Sequence, residues 1–179
     1  RGAPAVRGAV VDFGVVGEAA KLRVAIDAGK TNTVIGLYDG DNRRTTWRGA
    51  TNSERTSDEL ALLITQFLAQ HDVEFDEHIE GVVVSSGVPR VTAALREMTM
   101  RYAQQANLIV LESGTKSGMP ILYDNPRERG ADRIANAVGA FDLYGGPTIV
   151  VDFGTAHTSE ALTARGVYLR GGVLPRDER

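Results

Sequence analysis

The sequence of 179 residues contains no cysteine, one tryptophan and no block of basic residues. The absence of cysteine excludes disulfide bonds and thiolate metal sites, and it fits a reducing compartment such as the cytoplasm. No apolar run approaches the roughly 20 residues that a membrane-spanning helix needs. With 20 basic and 23 acidic side chains, the formal net charge is −3, so nucleic acid and membrane surfaces are not expected as partners. The composition predicts a globular protein and allows small acidic or neutral ligands.

Residues 1–22 show no regular pattern of secondary structure. They include a weakly apolar stretch, but Asp12 and Glu18 lie inside it, which makes it a poor signal-peptide core. We therefore expect residues 1–22 to form an extension outside the fold.

A regular succession of elements begins at Arg23. We predict three strands, a helix, a strand, a helix, a strand, a long polar loop and a helix. The strands are residues 23–29, 33–40, 43–51, 79–87 and 107–111, the loop is 112–130, and the helices carry apolar stripes at 60–67, 91–102 and 134–141. Thr56 and Glu59 form a capping box before the first helix, and Gly145 with Gly146 ends the third. We assign residues 23–146 to a first domain.

The pattern of the first strands begins again at Pro147. Residues 148–154, 157–164 and 166–172 predict a second meander of three strands. A lone meander exposes one apolar face and needs a packing partner. We therefore expect residues 147–179 to be the start of a second, duplicated domain.

The two rounds share one motif. "VAIDAGKTNT" at 24–33 and "IVVDFGTAHT" at 149–158 each run from an apolar strand through Asp and Gly to Thr. Such a turn suits phosphate or a phosphate-bound metal, since Gly permits a tight turn that presents backbone N–H groups. The alternative for one copy is a hairpin turn in which Asp27 and Asn32 bond local backbone. A Walker A loop is excluded, because Val24 stands where it needs Gly and a strand follows.

The second copy favours the functional interpretation. Asp152, Gly154 and Thr155 repeat the pattern of Asp27 and Gly29. Two facing turns of this type would clamp a triphosphate and its cations.

"GADR" at 130–133 opens the third helix directly after the long loop. One interpretation is that Asp132 and Arg133 only cap and solvate the helix end. The other is that Asp132 accepts a proton from a substrate hydroxyl while Arg133 holds an anionic group, helped by the helix N-terminus. Tyr123 is either loop packing or a wall of the substrate pocket.

Three segments taken together closely resemble the type III pantothenate kinases, bacterial members of the acetate kinase, sugar kinase, Hsp70 and actin superfamily. They are "AIDAGKTNTVIGLYDG", "VVVSSGVP" and "GMPILYDNPRERGADRIANAVGAFDLYGGPTIVVDFGTA", in one collinear order between about Arg23 and about Gly172. The resemblance implies an α/β fold of the ribonuclease H-like (actin-like ATPase) type, with a mixed sheet, flanking helices and the opening strands of a second, duplicated domain. The two Asp turns would face each other across one nucleotide cleft.

The resemblance also implies a reaction, in which the ATP γ-phosphoryl group passes to pantothenate to give 4′-phosphopantothenate, the first step of coenzyme A synthesis. Asp132 would be the general base, Asp152 would hold a monovalent cation (K⁺ or NH₄⁺), and Mg²⁺ would bridge the phosphates. The ATP-binding residues would be Asp27, Ala28, Gly29, Lys30, Thr31, Asn32, Thr33, Val34 and Thr155. The pantothenate site would comprise Tyr123, Gly130, Ala131, Asp132 and Arg133. Family members are homodimers with this pocket near the subunit interface.

The sequence departs from the family pattern at several places. Lys30 stands where the family has Asn, His157 where it has Thr, and Arg129 where an apolar residue is usual. After Gly172 the family continuation is replaced by "LPRDER". Two alternatives to the kinase therefore stay open: a non-catalytic nucleotide-binding or regulatory relative of the Bvg accessory factor type, or an inactive fragment. A kinase for another small hydroxylated substrate is a third.

Overall fold

The computed structural model describes residues 22–112, 115, 118–120, 130–153 and 157–174. These residues divide after Leu111 into two compact units, here called the N-terminal unit and the C-terminal unit. Of the predicted extension, residues 1–21 lie outside the described residues. Leu22, which the sequence reading placed in that extension, begins the first strand and is buried.

The N-terminal unit is a five-stranded mixed sheet with two helices. Its elements are β1 Leu22–Ala28, β2 Asn32–Asp39, β3 Asn42–Ala50, α1 Ser57–Ala69, β4 Ile79–Ser86, α2 Pro89–Tyr102 and β5 Asn107–Leu111. The strand order is β3-β2-β1-β4-β5, antiparallel in the β1–β3 meander and parallel from β1 through β4 to β5. The parallel strands therefore end at one carboxyl edge of the sheet, where α/β folds commonly bind ligands.

One face of β1 forms the centre of the N-terminal core. Val24, Ile26 and Ala28 alternate along the strand and are at most 2% exposed, because their side chains share one face and pack with apolar residues of α1 and α2. The predicted capping box is confirmed: the Thr56 side chain accepts from the Glu59 N–H, and the Glu59 carboxylate accepts from the Thr56 N–H. These two hydrogen bonds fix the start of α1.

The C-terminal unit is a helix packed on a three-stranded antiparallel sheet. Its elements are α3 Ala131–Tyr144, β6 Thr148–Phe153, β7 His157–Leu162 and β8 Tyr168–Leu174, with strand order β6-β7-β8. Ala137 of α3, Leu162 and Tyr168 form its buried cluster, against which Phe141 and Val150 pack. None of the described helices of the chain combines the length and the apolar character needed to cross a bilayer.

Helix α3 packs on the second sheet, so the chain divides into its two units between Leu111 and Glu112. The predicted domain boundary is at 146/147. The sequence boundary follows the repeat of the strand pattern. The packing follows the apolar stripe of α3, which covers β6 and β7. A duplicated domain organisation with its boundary at 146/147 stays a prediction about topology.

The other face of β6 is apolar and exposed. Ile149, Val151 and Phe153 are 74%, 51% and 76% exposed, although the corresponding side chains of the first sequence repeat, at 24, 26 and 28, are buried under α1 and α2. The described part of the second meander thus has the open apolar face expected of such an element. We call these three side chains the β6 face.

Candidate functional site

The first Asp turn is a tight connection between β1 and β2. The Gly29 N–H donates to the Asn32 carbonyl at 3.0 Å, and a Cβ at position 29 would lie 3.2 Å from that oxygen. Lys30, Thr31 and Asn32 are exposed, whereas Ala28 is buried in the core. The turn therefore presents its backbone and three polar side chains on the surface, as a phosphate-binding turn requires.

Thr51, at the end of β3, holds this turn in place. Its backbone N–H donates to the Thr31 carbonyl at 2.9 Å, and its hydroxyl lies 2.8 Å from the hydroxyl of Thr33. The sequence reading missed Thr51, because the contact depends on the β2–β3 pairing rather than on any motif. Val34, the last predicted residue of the loop, is half-buried within β2.

Asp27 and Ser85 lie side by side near the carboxyl edge of the sheet. They are partners in the parallel β1–β4 ladder, so their side chains share the face opposite the α1–α2 core. Asp27 is exposed, whereas Ser85 is 7% exposed and its hydroxyl has no hydrogen-bond partner among the described residues. A buried hydroxyl without a partner calls for an explanation, and a phosphate oxygen or a hydrated cation bound beside Asp27 would supply one. This donor set therefore fits ATP with its divalent metal.

Two cavities of the N-terminal unit differ in the residues that line them. One cavity, of about 880 Å³, is lined by residues of 65–76 and 101–105, none of which was predicted as a site. A smaller cavity of about 130 Å³ lies directly behind the first turn, between Thr33, Thr51 and apolar residues of α1 and α2. The polar groups of the first Asp turn thus lie next to the smaller cavity.

The predicted base lies at the start of α3. Gly130 is the N-cap, and Asp132 is an exposed residue of the first turn. The Arg133 N–H donates to Asp132 Oδ1 at 2.9 Å, and its distance to the Gly130 carbonyl is 3.2 Å. A Cβ at position 130 would overlap Asp132 Oδ1, so glycine there leaves space for the carboxylate. Ala131 is buried and anchors the turn.

The side chain of Arg133 points to the sheet of its own unit. Its Nε donates to Glu160 Oε1 of β7, and its Nη2 donates to the Gly172 carbonyl of β8 at 3.4 Å. Glu160 is 2% exposed. The sequence analysis did not identify Glu160, the acidic residue of the strand "HTSEAL".

Asp152 is connected to the same helix through Asn136. The Asn136 amide donates to Asp152 Oδ2 at 3.1 Å. Asn136 follows Asp132 by four residues, so both lie on one face of α3, one turn apart. The proposed base and the proposed cation ligand thus belong to one helix–sheet corner. Within the described ranges, no three carboxylate or imidazole groups converge as they would in a metal site built from such groups. Asp152 offers a carboxylate oxygen, a ligand type that would suit a hard cation.

Several predicted residues cannot be placed. Tyr123, Arg129, Gly154 and Thr155 lie outside the described residues. His157 is half-buried and makes an edge contact with Phe153, with ring centroids 5.1 Å apart. Because the first Asp turn belongs to one unit and Asp132 with Asp152 to the other, the facing of the two turns stays a prediction.

The fold defines the class of protein. A three-stranded meander continued by parallel strands with helices, and then begun again, is the ribonuclease H-like fold of actin-like ATPases. Two solved structures share it at low sequence identity. A reductive activator for a corrinoid, iron-sulfur protein aligns with a TM-score of 0.57 at 15% identity, covering 83% of this chain and 30% of that chain. The ethanolamine utilization protein EutJ from Carboxydothermus hydrogenoformans aligns with a TM-score of 0.50 at 12% identity, covering 90% and 54%.

Within this class, the chain belongs to the type III pantothenate kinase family, whose model matches residues 23–175. A type III pantothenate kinase of Streptomyces avermitilis is 48% identical over 157 residues, 86% of this chain and 59% of the relative. Those of Frankia alni and Moorella thermoacetica are 46% and 44% identical, over 58% and 60% of their lengths. The chain therefore spans about three fifths of the length of these relatives.

Proposed function

We propose that this protein transfers the γ-phosphoryl group of ATP to the primary hydroxyl of pantothenate, giving 4′-phosphopantothenate in the first step of coenzyme A synthesis. The observation that carries the proposal is the exposed carboxylate of Asp132 at the start of α3, inside a family whose name describes this reaction. We place the protein in the cytoplasm and expect a homodimer, as the family resemblance implies.

ATP binding is assigned to the first Asp turn, residues 27–34, with Thr155 from the second. The surface position of Lys30, Thr31 and Asn32 supports this assignment, since backbone N–H groups and short polar side chains suit phosphate oxygens. When bound, Mg²⁺ would offset the charge that develops on the phosphates. Asp27 and the Ser85 hydroxyl are the groups that would face the metal–phosphate complex.

Asp132 is assigned as the general base. Its Oδ1 accepts the Arg133 N–H, which leaves Oδ2 to accept the proton of the substrate hydroxyl. The hydroxyl oxygen then bonds to the γ-phosphorus, the bond from that phosphorus to the β-phosphate bridging oxygen breaks, and ADP leaves. The proton remains on Asp132 and passes later to solvent.

Pantothenate binding is assigned to Tyr123 and residues 130–133, and the monovalent cation (K⁺ or NH₄⁺) to Asp152. The Asn136 amide on Asp152 supports the cation role, because a hydrogen-bonded carboxylate is held in a fixed orientation. We expect slower turnover when Na⁺ replaces K⁺. Equal rates in both salts would contradict the role of Asp152.

The proposed reaction is tested by mass-spectrometric detection of 4′-phosphopantothenate after incubation with ATP, Mg²⁺, K⁺ and pantothenate. The parent chain is compared with Asp132→Asn and with Asp142→Asn, a control on the same helix whose side chain is also exposed. Product from the parent and the control, with a loss of roughly a hundredfold or more in Asp132→Asn, would support the base. Equal product from all three would refute it.

A second candidate function is a non-catalytic nucleotide-binding relative. It is favoured by the departures from the family pattern at Lys30, in the first Asp turn, and at His157, which stand where the family has Asn and Thr. Saturable ATP binding without product in any variant would support this alternative and would contradict the kinase.

A further inference from the structure

One row of side chains crosses four strands of the N-terminal sheet near the end of β1. Arg48 of β3 is the ladder partner of Val34 in β2, and Val34 is the partner of Asp27 in β1. Asp27 is in turn the partner of Ser85 in β4. Ladder partners lie on the same face of a sheet, so the row places the side chain of Arg48 on the face that carries Asp27 and Ser85.

The packing of Trp47 supports this placement of Arg48. Trp47 packs against the N-terminal core, and its ring stacks on Phe67 of α1 with centroids 5.3 Å apart. Because successive side chains of a strand point to opposite faces, Arg48 lies on the face opposite α1. Two strand spacings, roughly 10 Å, separate Arg48 from Asp27, and in the row only the half-buried Val34 lies between them. That interval leaves room for a phosphate group between the guanidinium and a metal at the carboxylate.

The guanidinium of Arg48 is available to a ligand. The side chain is exposed, and within the described part of the chain it takes part in no hydrogen bond or ion pair. Ala50, the next residue of β3 on the same face towards the first Asp turn, is small and also exposed. At the other end of the row, the buried hydroxyl of Ser85 has no partner among the same residues. A cation and an unpartnered hydroxyl on either side of Asp27 both suit an anionic ligand.

The chemistry of arginine fits a phosphate at this place. Its planar guanidinium donates two parallel hydrogen bonds to phosphate oxygens and stays charged at physiological pH. In phosphoryl transfer, cationic groups act mainly on the transferred phosphoryl group, because the charge in the transition state is spread over its oxygens.

We infer that Arg48 is a further phosphate-binding residue, whose guanidinium holds the terminal phosphate of ATP on the sheet face that carries Asp27 and Ser85. The inference rests on the proposed function for the binding of ATP and its metal at the first Asp turn. It adds a residue that lies outside the sequence motifs assigned to ATP. Since ADP lacks the terminal phosphate, Arg48 should distinguish ATP from ADP.

The test is calorimetric titration with ATP and with ADP, each in the presence of Mg²⁺. It compares the parent with Arg48→Met, Arg48→Lys and the control Arg43→Met, which removes the same charge from an exposed position near the other end of β3. In Arg48→Met, the Kd for ATP should rise roughly ten- to hundredfold and the Kd for ADP by less than about threefold, because hydrogen bonds to the terminal phosphate are lost. Arg48→Lys keeps the charge without the paired donors, so its Kd for ATP should lie between those of Arg48→Met and the parent. Arg43→Met should leave both Kd values within about twofold of the parent, because salt screens a distant exposed charge.

Two results would overturn the inference: an unchanged Kd for ATP in Arg48→Met, or equal losses of affinity for ATP and ADP. The melting temperature should stay close to that of the parent because Arg48 is exposed, and a large decrease alongside weaker ATP binding would show a structural role instead. The same proteins are assayed for 4′-phosphopantothenate. A parent that binds ATP without forming product would contradict the proposed reaction, and the comparison of ATP with ADP would still decide the role of Arg48. A parent that binds neither nucleotide would overturn both.

Discussion

Replacing Gly130 by alanine tests the placement of Asp132 with the smallest possible change. Gly130 has φ −62° and ψ 144°, an extended conformation that any residue adopts, so the substitution adds no backbone strain. The new methyl group would overlap Asp132 Oδ1 and lie 3.3 Å from Asp132 Cγ. The carboxylate must therefore rotate away, by roughly 1 Å or more, and it loses the favourable geometry of its hydrogen bond from the Arg133 N–H.

The structure separates the effects on stability and on rate. Asp132 is exposed and its carboxylate ends a rotatable side chain, so the free energy of unfolding should fall by only about 1 kcal/mol, the usual worth of one hydrogen bond. A displacement of about 1 Å at a reacting group can lower the rate about a hundredfold. We therefore expect kcat to fall about a hundredfold with a nearly unchanged melting temperature.

The assay combines product formation with thermal unfolding, and Gly139→Ala is the control. Gly139 lies in the middle of α3, and an added Cβ there would have none of the described residues beyond its own helix backbone within 4 Å. That variant should gain roughly 0.5–1 kcal/mol from helix propensity and keep its activity. A Gly130→Ala variant with kcat within about twofold of the parent would refute the geometry, as would a rate loss matched by a large loss of stability.

Three further predictions concern other contacts. Thr56→Ala should cost about 1 kcal/mol through the lost N-cap hydrogen bond. The Thr56 N–H and hydroxyl lower the pKa of Glu59. The stability that these hydrogen bonds contribute is therefore present above the pKa of Glu59 in the unfolded chain and is lost as the pH falls through its pKa in the folded protein. Denaturation at about pH 7 and at about pH 3 should show a smaller stability difference between the parent and Thr56→Ala in acid. Asn136→Leu should raise the K⁺ concentration for half-maximal activity about tenfold by releasing Asp152, and an unchanged K⁺ dependence would contradict the contact's role. Thr51→Val should raise the KM for ATP several-fold with little change in melting temperature, and an unchanged KM would show that the first turn does not need the Thr51 hydroxyl.

Local patterns predicted most of the elements correctly. Thr56 and Glu59 fixed the start of α1, and Gly145 marked the end of α3, because caps and turns depend on residues close in sequence. The sequence did not show that α3 packs on the second sheet. The apolar stripe of α3 indicates that one face of the helix is buried, but it does not indicate which strands cover that face.

The candidate site divides in the same way. The start of α3 was predicted from "GADR". The spacing of four residues between Asp132 and Asn136 could also have placed Asn136 on the same helix face as Asp132. The partner of Arg133 was not, because Glu160 lies 27 residues away and meets it only after β7 has paired with β8. Ser85 was missed for the same reason, since its position beside Asp27 follows from the parallel register of β1 and β4.

The β6 face has a consequence for handling the protein. Ile149, Val151 and Phe153 lie on an edge strand and expose between 51% and 76% of their surface. A dye such as ANS, whose fluorescence is used to recognise partly folded states, would bind this face of the fully folded protein. Ammonium sulfate strengthens apolar association, so it would favour contact between the β6 faces of different molecules and promote precipitation. Dye fluorescence and salting-out would therefore measure a native surface of this protein rather than its unfolding, and Val151→Asp would lower both signals without lowering the melting temperature.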